Sequence, residues 1–284
     1  MADRALLPGK FVWFELVTGD PKKAQAFYGG LLGWKVEPFP MGNTKYDMIL
    51  AGHTLDTMIG GYAPLQNERQ RSHWISYVSV EDVDAAVKAV TAERGRVVEA
   101  PSEIPTVGRK ARIADPRGAE LYVFRNPKGD PPDPSMAHGG FPSTGAGRWL
   151  WNELHTSDPR GALAFYEKAL GFSHRAMDMG PAGTYYILSR GGVDRGGVTA
   201  ELPRGVAPHW LPYVAVDDAD QPIARAKKLG ARIHAGPEDI PGVGRFGVIE
   251  DPTGAALAIM KPQPVQAGRE AGKTADRVPV GGKV

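Results

Sequence analysis

Two segments of the chain carry the same two residue types at the same spacing. Trp13 is followed two residues later by Glu15, and Trp151 is followed two residues later by Glu153. Side chains two apart on a strand lie on one face, so each glutamate would share a face with a large aromatic ring. A carboxylate in such surroundings can anchor a ligand, or can act as a general base whose pKa is raised by desolvation.

A structural role for these glutamates is the competing interpretation, because a buried carboxylate needs a hydrogen-bonding or charged partner. Arg109 and Arg245 occupy equivalent positions in the two parts of the chain and are the candidate partners. His155 follows Glu153 by two residues, so this pair could also form half of a metal site. The sequence places no third ligand beside it.

Composition excludes several other kinds of chemistry. The 284 residues contain no cysteine, which rules out disulfides, thiolate metal ligands and a cysteine nucleophile. With 34 basic and 32 acidic residues, the chain lacks the concentrated positive charge that nucleic-acid binding needs. No apolar stretch approaches the roughly 20 residues of a membrane span, and no signal-peptide pattern opens the chain. We expect a cytoplasmic protein that binds neither nucleic acid nor membranes.

Nucleotide-cofactor and serine-hydrolase signatures also find no support. The glycine-rich runs at 191–192 and 196–197 lie between strand patterns rather than before a helix, so no phosphate-binding loop is predicted. No Gly-x-Ser-x-Gly elbow occurs. We therefore predict no cofactor.

The chain is an internal repeat. Residues 11–34 match 149–172 at half of their positions, and the segments 73–84 and 104–119 match 209–220 and 240–255 more closely. A repeat of this length indicates a duplicated domain. We expect domains at 1–126 and 148–262, a Pro- and Gly-rich linker at 127–147, and a flexible tail at 263–284.

Local patterns within each copy predict a strand, a helix and further strands, twice over. Residues 11–18 alternate in the manner of a strand, and Asp20 with Pro21 is typical of a helix start. Gly33 ends that helix, and Asp82 caps the next one. The segment Asp115–Gly118 predicts a turn between two strands.

This order of motifs resembles the vicinal oxygen chelate superfamily, which includes glyoxalases, bleomycin-resistance proteins and extradiol dioxygenases. The resemblance rests on Trp-x-Glu-Leu-x-Thr-x-Asp-Pro at 13–21 and 151–159, the Phe-Tyr pair in the helix, and Asp-Pro-x-Gly. It covers residues 10–126 and 148–262 and is closest to the tandem two-domain subgroup. It implies an α+β fold in which each domain is two βαβββ modules, curled into a half-barrel sheet with helices outside.

The resemblance also implies a divalent metal, held by His, Glu or Gln on the first, fifth and eighth strands of a domain. Counting from the shared motifs puts these positions at residues that are not usual ligands for such ions: Trp13, Ile75, Tyr122, Trp151, Leu211 and Ala258. We therefore expect no metal site of the usual kind in either copy.

Strand alternation from those positions predicts two aromatic-rich concavities with a few polar groups, the usual composition of a small-molecule pocket. The aromatic rings could equally be filling material inside a small barrel. The second copy carries alanines at 256 and 258 and should hold more empty volume. The candidate ligand-binding residues are Trp13, Glu15, His73, Tyr77, Glu120, Tyr122, Trp151, Glu153, His155, His209, Tyr213 and Arg245.

The favoured hypothesis is a metal-free protein that binds a small, largely apolar or aromatic molecule in a barrel cavity. The sequence does not determine whether this protein is an enzyme. One alternative is a metal-dependent lyase, isomerase or dioxygenase with relocated ligands at Glu15, Glu120, Glu153 and His155. Another is a non-catalytic regulatory or partner-binding protein with filled barrels. The chain is expected to be a monomer with paired domains or a homodimer.

Overall fold

The computed structural model of the chain describes residues 4–41, 44–67, 70–133 and 145–263. Along these residues a strand, a helix and three strands follow one another four times, twice in each copy of the repeat. The predicted βαβββ order, the α+β class and the two tandem domains are confirmed.

The first copy forms one eight-stranded sheet in the order β2-β3-β4-β1-β5-β8-β7-β6. Its two modules meet where β1 and β5 pair antiparallel at the centre, and this sheet curls into the first half-barrel. The elements are β1 (Phe11–Thr18), α1 (Pro21–Leu32), β2 (Lys35–Met41), β3 (Thr44–Leu50), β4 (Met58–Pro64), β5 (His73–Ser79), α2 (Val83–Ala92), β6 (Arg96–Ile104), β7 (Gly108–Ala114) and β8 (Glu120–Arg125).

The second copy repeats this order as β10-β11-β12-β9-β13-β16-β15-β14 and forms the second half-barrel. Its central strands β9 and β13 are again antiparallel. The elements are β9 (Trp149–His155), α3 (Pro159–Leu170), β10 (Ser173–Asp178), β11 (Thr184–Arg190), β12 (Val193–Thr199), β13 (His209–Ala215), α4 (Asp220–Lys228), β14 (Arg232–Ile240), β15 (Gly244–Glu250) and β16 (Ala256–Pro262).

The first helix of each copy begins and ends as its sequence predicts. Asp20 and Asp158 cap α1 and α3, because each side chain accepts a hydrogen bond from the backbone N–H three residues on. Gly33 and Gly171 end the same helices in the left-handed region, at φ 71° and 68°. Other residues reach that conformation only at a cost, so glycine stops both helices at the same point.

The helix-covered faces of the two sheets pack against each other, and each hydrophobic core is shared between the domains. One core joins the second module of the first copy to the first module of the second copy, with α2 against α3. The other core joins the two remaining modules, with α1 against α4. Two smaller clusters line the opposite, concave faces. The pairing therefore buries the convex faces and leaves both concave faces outside the interface.

Two equivalent sets of buried hydrogen bonds cross the domain interface. The Tyr28 hydroxyl donates to Asp251 of the other domain at 2.9 Å and accepts from the Trp74 indole N–H at 3.1 Å. In the related position, Tyr166 donates to Asp115 at 3.5 Å and accepts from Trp210 at 3.1 Å. Burial raises the pKa of both tyrosines well above the ordinary value, so both remain donors.

The same aspartates hold the turns predicted from Asp-Pro-x-Gly. Asp251 Oδ1 accepts from the backbone N–H groups of Thr253, Gly254 and Ala255 at 2.6–3.2 Å, which leaves Oδ2 for the tyrosine of the partner domain. One carboxylate thus links a local turn to the domain interface.

The predicted linker is described at 127–133 and 145–147, and these parts contain no helix or strand. Its remainder and the predicted tail from 264 onward lie outside the described residues. Among the described helices, none has the length and apolar character needed to cross a membrane.

Replacing Tyr28 by Phe should lower the free energy of unfolding by about 1–3 kcal/mol, because Asp251 and Trp74 each lose a buried partner. Urea unfolding measures the change. Tyr62→Phe is the matched control, since it removes a hydroxyl from the same domain and leaves the Tyr28–Asp251 bond intact. Equal stability of the two variants would show that the bond does not hold the interface.

Candidate functional site

Each half-barrel contains the same buried hydrogen-bond network around its glutamate. In the first copy the Trp13 indole donates to the Tyr46 hydroxyl at 3.0 Å, and Tyr46 donates to Glu15 at 2.7 Å. Tyr77 donates to the other oxygen of Glu15 at 3.1 Å. A carboxylate that accepts two hydroxyl hydrogen bonds is satisfied inside the barrel without a cation.

The second copy repeats the network with its own residues. Trp151 donates to the Tyr185 hydroxyl at 2.8 Å, and Glu153 accepts hydrogen bonds from Tyr185 and, at 2.9 Å, from Tyr213. Burial is the main cause that raises the pKa of Tyr185 and Tyr213 well above the ordinary value, so both hydroxyls stay protonated. We call this arrangement of Trp, Glu and two Tyr the glutamate network.

Two glycines make room for the network. A Cβ atom on Gly61 would lie 2.2 Å from the Tyr46 hydroxyl, and one on Gly197 would lie closer still to the Tyr185 hydroxyl. Both glycines lie on the strand beside the glutamate, at the register positions Glu15–Gly61 and Glu153–Gly197. Any side chain there would displace the tyrosine that bonds the carboxylate.

The expected pairing of the glutamates with arginines is wrong. Arg245 forms a two-pronged ion pair with Asp220 at 2.7 Å and contacts Asp239 at 3.1 Å. Arg109 likewise pairs with Asp84 and Glu103. Neighbouring residues on a strand face opposite sides, and these arginines reach the acidic start of a helix on the convex side.

A pair of histidines distinguishes the second half-barrel. His155 and His209 face each other across β9 and β13, and their rings stack at 5.2 Å with an interplanar angle of 7°. His155 Nε2 lies 2.9 Å from Glu153 Oε1, in an ion-pair approach that is poorly aligned for a hydrogen bond. The first copy has Val17 opposite His73, so it lacks this pair.

The charges of this cluster follow from its contacts. Burial acts to lower the pKa of His155, but Glu153 and the Glu201 carbonyl outweigh it, so the pKa is raised. Burial likewise acts to raise the pKa of Glu153, but His155, Tyr185 and Tyr213 lower it overall. Burial, together with the neighbouring His155, lowers the pKa of His209. These contacts favour the charged forms of Glu153 and His155 and the neutral form of His209.

The residues of the two half-barrels do not fit the metal that the fold resemblance implies. The six positions inferred for its ligands carry tryptophan, isoleucine, leucine, alanine and a tyrosine that donates to Glu99 at 2.8 Å. Across the described ranges, no group of three or more His, Asp or Glu side chains could hold a metal ion.

The walls of the two half-barrels differ sharply. In the first, Tyr122 stacks on Tyr77 at 4.4 Å, and the Lys110 ammonium lies 4.3 Å from the centre of the Tyr122 ring. Arg112 is buried beside them and pairs with Glu99 at 2.9 Å and with Glu120 at 3.5 Å. With Tyr77 and Tyr122 each only 4% exposed, these side chains fill the first half-barrel.

The equivalent wall of the second half-barrel is formed by apolar side chains. By the repeat, Phe246, Val248, Ala256 and Ala258 replace Lys110, Arg112, Glu120 and Tyr122. All but Ala258 are partly exposed, as is Trp151. An alanine thus lies beside Tyr213 where the first copy has the Tyr122 ring beside Tyr77.

Most of the remaining candidate ligand-binding residues lie on the concave faces of the sheets, as strand alternation predicts. His73 lies at the end of β5, with Nδ1 2.8 Å from the Arg71 carbonyl. Sequence reasoning missed Tyr46, Tyr185 and Lys110. The signal for the two tyrosines was their shared place on the third strand of each copy, next to a strand that contains a Gly-Gly pair.

Two clefts of about 610 and 620 Å³ lie outside both half-barrels, in the grooves between the domains. The first is lined by charged side chains of both domains, among them Lys23, Arg71 and Arg232, and the second by residues of α1 and α4. Neither includes the glutamate network or the histidine pair.

The Glu153–His155 pair should make stability depend on pH in a defined window. The raised pKa of His155 gives stabilisation that is complete below about pH 6.5 and lost as the pH rises through the folded-state pKa. The lowered pKa of Glu153 gives stabilisation that is complete above about pH 4.3 and lost as the pH falls through its folded-state pKa.

His155→Val copies the first domain and removes this contribution. The melting temperatures of the wild-type protein and the variant should therefore differ most between about pH 4.3 and 6.5 and converge at higher pH. A difference independent of pH would mean that His155 acts through packing alone.

Comparison with known proteins agrees with this architecture. The family model described as Glyoxalase/Bleomycin resistance protein/Dioxygenase superfamily matches residues 10–123 and 150–259. The Mycobacterium bovis protein named "Putative glyoxylase CFP32" is 36% identical over 257 residues, covering 89% of this chain and 95% of that protein. The Streptomyces peucetius "Anthracycline biosynthesis protein DnrV" is 30% identical over 268 residues, covering 89% and 94%.

Among solved structures, homoprotocatechuate 2,3-dioxygenase from Arthrobacter globiformis superposes with a TM-score of 0.60 at 19% identity, covering 91% of this chain and 82% of that one. The Mn(II)-bound glyoxalase from Novosphingobium aromaticivorans gives 0.58 at 18% identity, covering 89% and 81%. These structures share the fold. With both repeats matched by the family model, the chain belongs to the glyoxalase/bleomycin resistance protein/dioxygenase superfamily.

Proposed function

We propose that this protein binds a small, planar, largely apolar or aromatic molecule in the second half-barrel, without a metal ion. One observation carries the proposal: the wall formed by Phe246, Val248, Ala256 and Ala258 is wholly apolar, whereas its counterpart in the first half-barrel is formed by three charged side chains and the Tyr122 ring. An apolar concavity with a few fixed polar groups is the usual form of a small-molecule site.

The relatives support the ligand class. DnrV and the Streptomyces sp. protein DauV, also 30% identical, are both named for anthracycline biosynthesis. Anthracyclines are planar aromatic molecules, and a flat ring system suits a wall of Phe and Ala beside Trp151.

The metal-free part of the proposal rests on the donor set. Glu153 already accepts hydrogen bonds from two tyrosines and approaches His155, so its oxygens are engaged. A metal-dependent reaction with relocated ligands would have to break these contacts, and Glu15 and Glu120 lie in the other half-barrel. We further propose a cytoplasmic protein that is a monomer with paired domains or a homodimer.

Replacing Ala258 by Tyr should close the second half-barrel, because the first copy shows how a tyrosine stacks at the equivalent site. Binding of 2-naphthol, followed through Trp151 fluorescence, should weaken by about tenfold or more. Tyr122→Ala is the control, since it opens the first half-barrel and should leave this binding intact. Undiminished binding by Ala258→Tyr would remove the second half-barrel as the site.

Chelation tests the metal-free proposal. Treatment with EDTA should change neither the melting temperature nor the affinity for 2-naphthol, because no bound ion then stabilises the fold. Metal analysis of protein purified without added metal should find well under one ion per chain. A drop of several degrees on chelation, reversed by adding the ion back, would contradict the proposal.

A further inference from the structure

The ring of His209 is held in one orientation. Its Nδ1 lies 2.9 Å from the carbonyl oxygen of Ala207, and its plane stacks on His155. His155 is fixed in turn, with Nδ1 2.5 Å from the Glu201 carbonyl and Nε2 near Glu153. Both imidazoles are therefore positioned before any ligand arrives.

The contact with Ala207 determines which nitrogen of His209 carries the proton. A carbonyl oxygen only accepts hydrogen bonds, so Nδ1 must be the donor. In the neutral ring Nε2 then has a free lone pair. Within the described residues Nε2 has no hydrogen-bond partner, although the ring is only partly exposed.

Burial and the neighbouring groups favour the neutral form of the His209 ring. His155 and Glu153 face it from β9, Tyr213 follows on its own strand, and Glu201 lies in the loop after β12. Burial and a proton on His155 both oppose protonation of His209, in agreement with its lowered pKa. A neutral acceptor beside an apolar wall can bind a donor without the cost of burying a new charge.

We propose that Nε2 of His209 accepts a hydrogen bond from a hydroxyl group of the ligand, so that the second half-barrel selects phenols and enols over unsubstituted ring systems. This inference rests on the proposed function of that half-barrel. Leu211 and Tyr213 follow His209 on the same face of β13, and Tyr213 pairs in register with Ala258 of β16. The imidazole therefore lies at the end of the face on which a planar molecule would bind, within reach of a ring substituent.

The first half-barrel provides the matched control. His73 has the same contact, with Nδ1 near the Arg71 carbonyl, but its neighbour across the strands is Val17. The wall of its half-barrel carries the buried rings of Tyr122 and Phe124. The two histidines therefore share their backbone setting and differ in access to a ligand.

The test compares two probes of one ring system on the intact protein. 2-Naphthol carries the hydroxyl donor, and 2-methoxynaphthalene replaces it by an acceptor. Wild-type protein should bind 2-naphthol roughly tenfold more tightly, the ratio expected for one buried hydrogen bond. His209→Phe keeps a ring against His155 and should bind both probes equally, whereas His73→Phe should keep the preference.

Each other outcome has a definite meaning. If wild-type protein binds both probes equally, the hydroxyl inference is overturned while the proposed function stands. If it binds neither probe, the proposed function fails and the inference with it. If His73→Phe rather than His209→Phe abolishes the preference, the inference is wrong. Should His209→Phe fail to fold, His209→Gln, which retains an acceptor oxygen, must keep part of the preference.

Discussion

The paired Tyr–Asp hydrogen bonds across the domain interface are the constraint on which the rest of the structure depends. Tyr28 and Tyr166 each lie on the first helix of one domain and bond the turn aspartate of the other domain. Each aspartate also holds its own turn between two strands. The carboxylate of one copy is therefore satisfied only when the other copy is in place, which explains why both copies keep Tyr, Trp and Asp-Pro together.

This pairing determines where a ligand can bind. The convex faces and the helices supply the shared cores, so stability does not require a filled concave face. The first half-barrel is nevertheless lined by stacked tyrosines and charged side chains, while the second lacks them along one wall. Because the interface holds both domains, the two half-barrels can differ in their linings without loss of the fold.

The sequence predicted the elements well because their signals are local. The Asp20–Pro21 cap, the Gly33 stop and the alternation of β1 depend on neighbours within a few residues. The partners of Glu15 and Glu153 could not be found in this way. Tyr46 and Tyr185 reach them through the register of a strand hairpin and the space above a glycine, which no local pattern reveals. Arg245 was misplaced because equivalence in the repeat does not tell which face of the strand a residue occupies, and neighbouring residues face opposite sides.

Comparison of the two copies separates the groups that hold the fold from those that suit a ligand. The Glu–Tyr–Tyr–Trp network is present in both half-barrels, so in each copy it satisfies a buried carboxylate. In the second copy the Glu153 carboxylate also approaches the His155 ring, and that ring stacks on His209. The stacked histidine pair and the apolar wall beside it are confined to the second copy. A duplicated domain can therefore keep one buried network for stability in both copies and assign recognition to the few residues that differ.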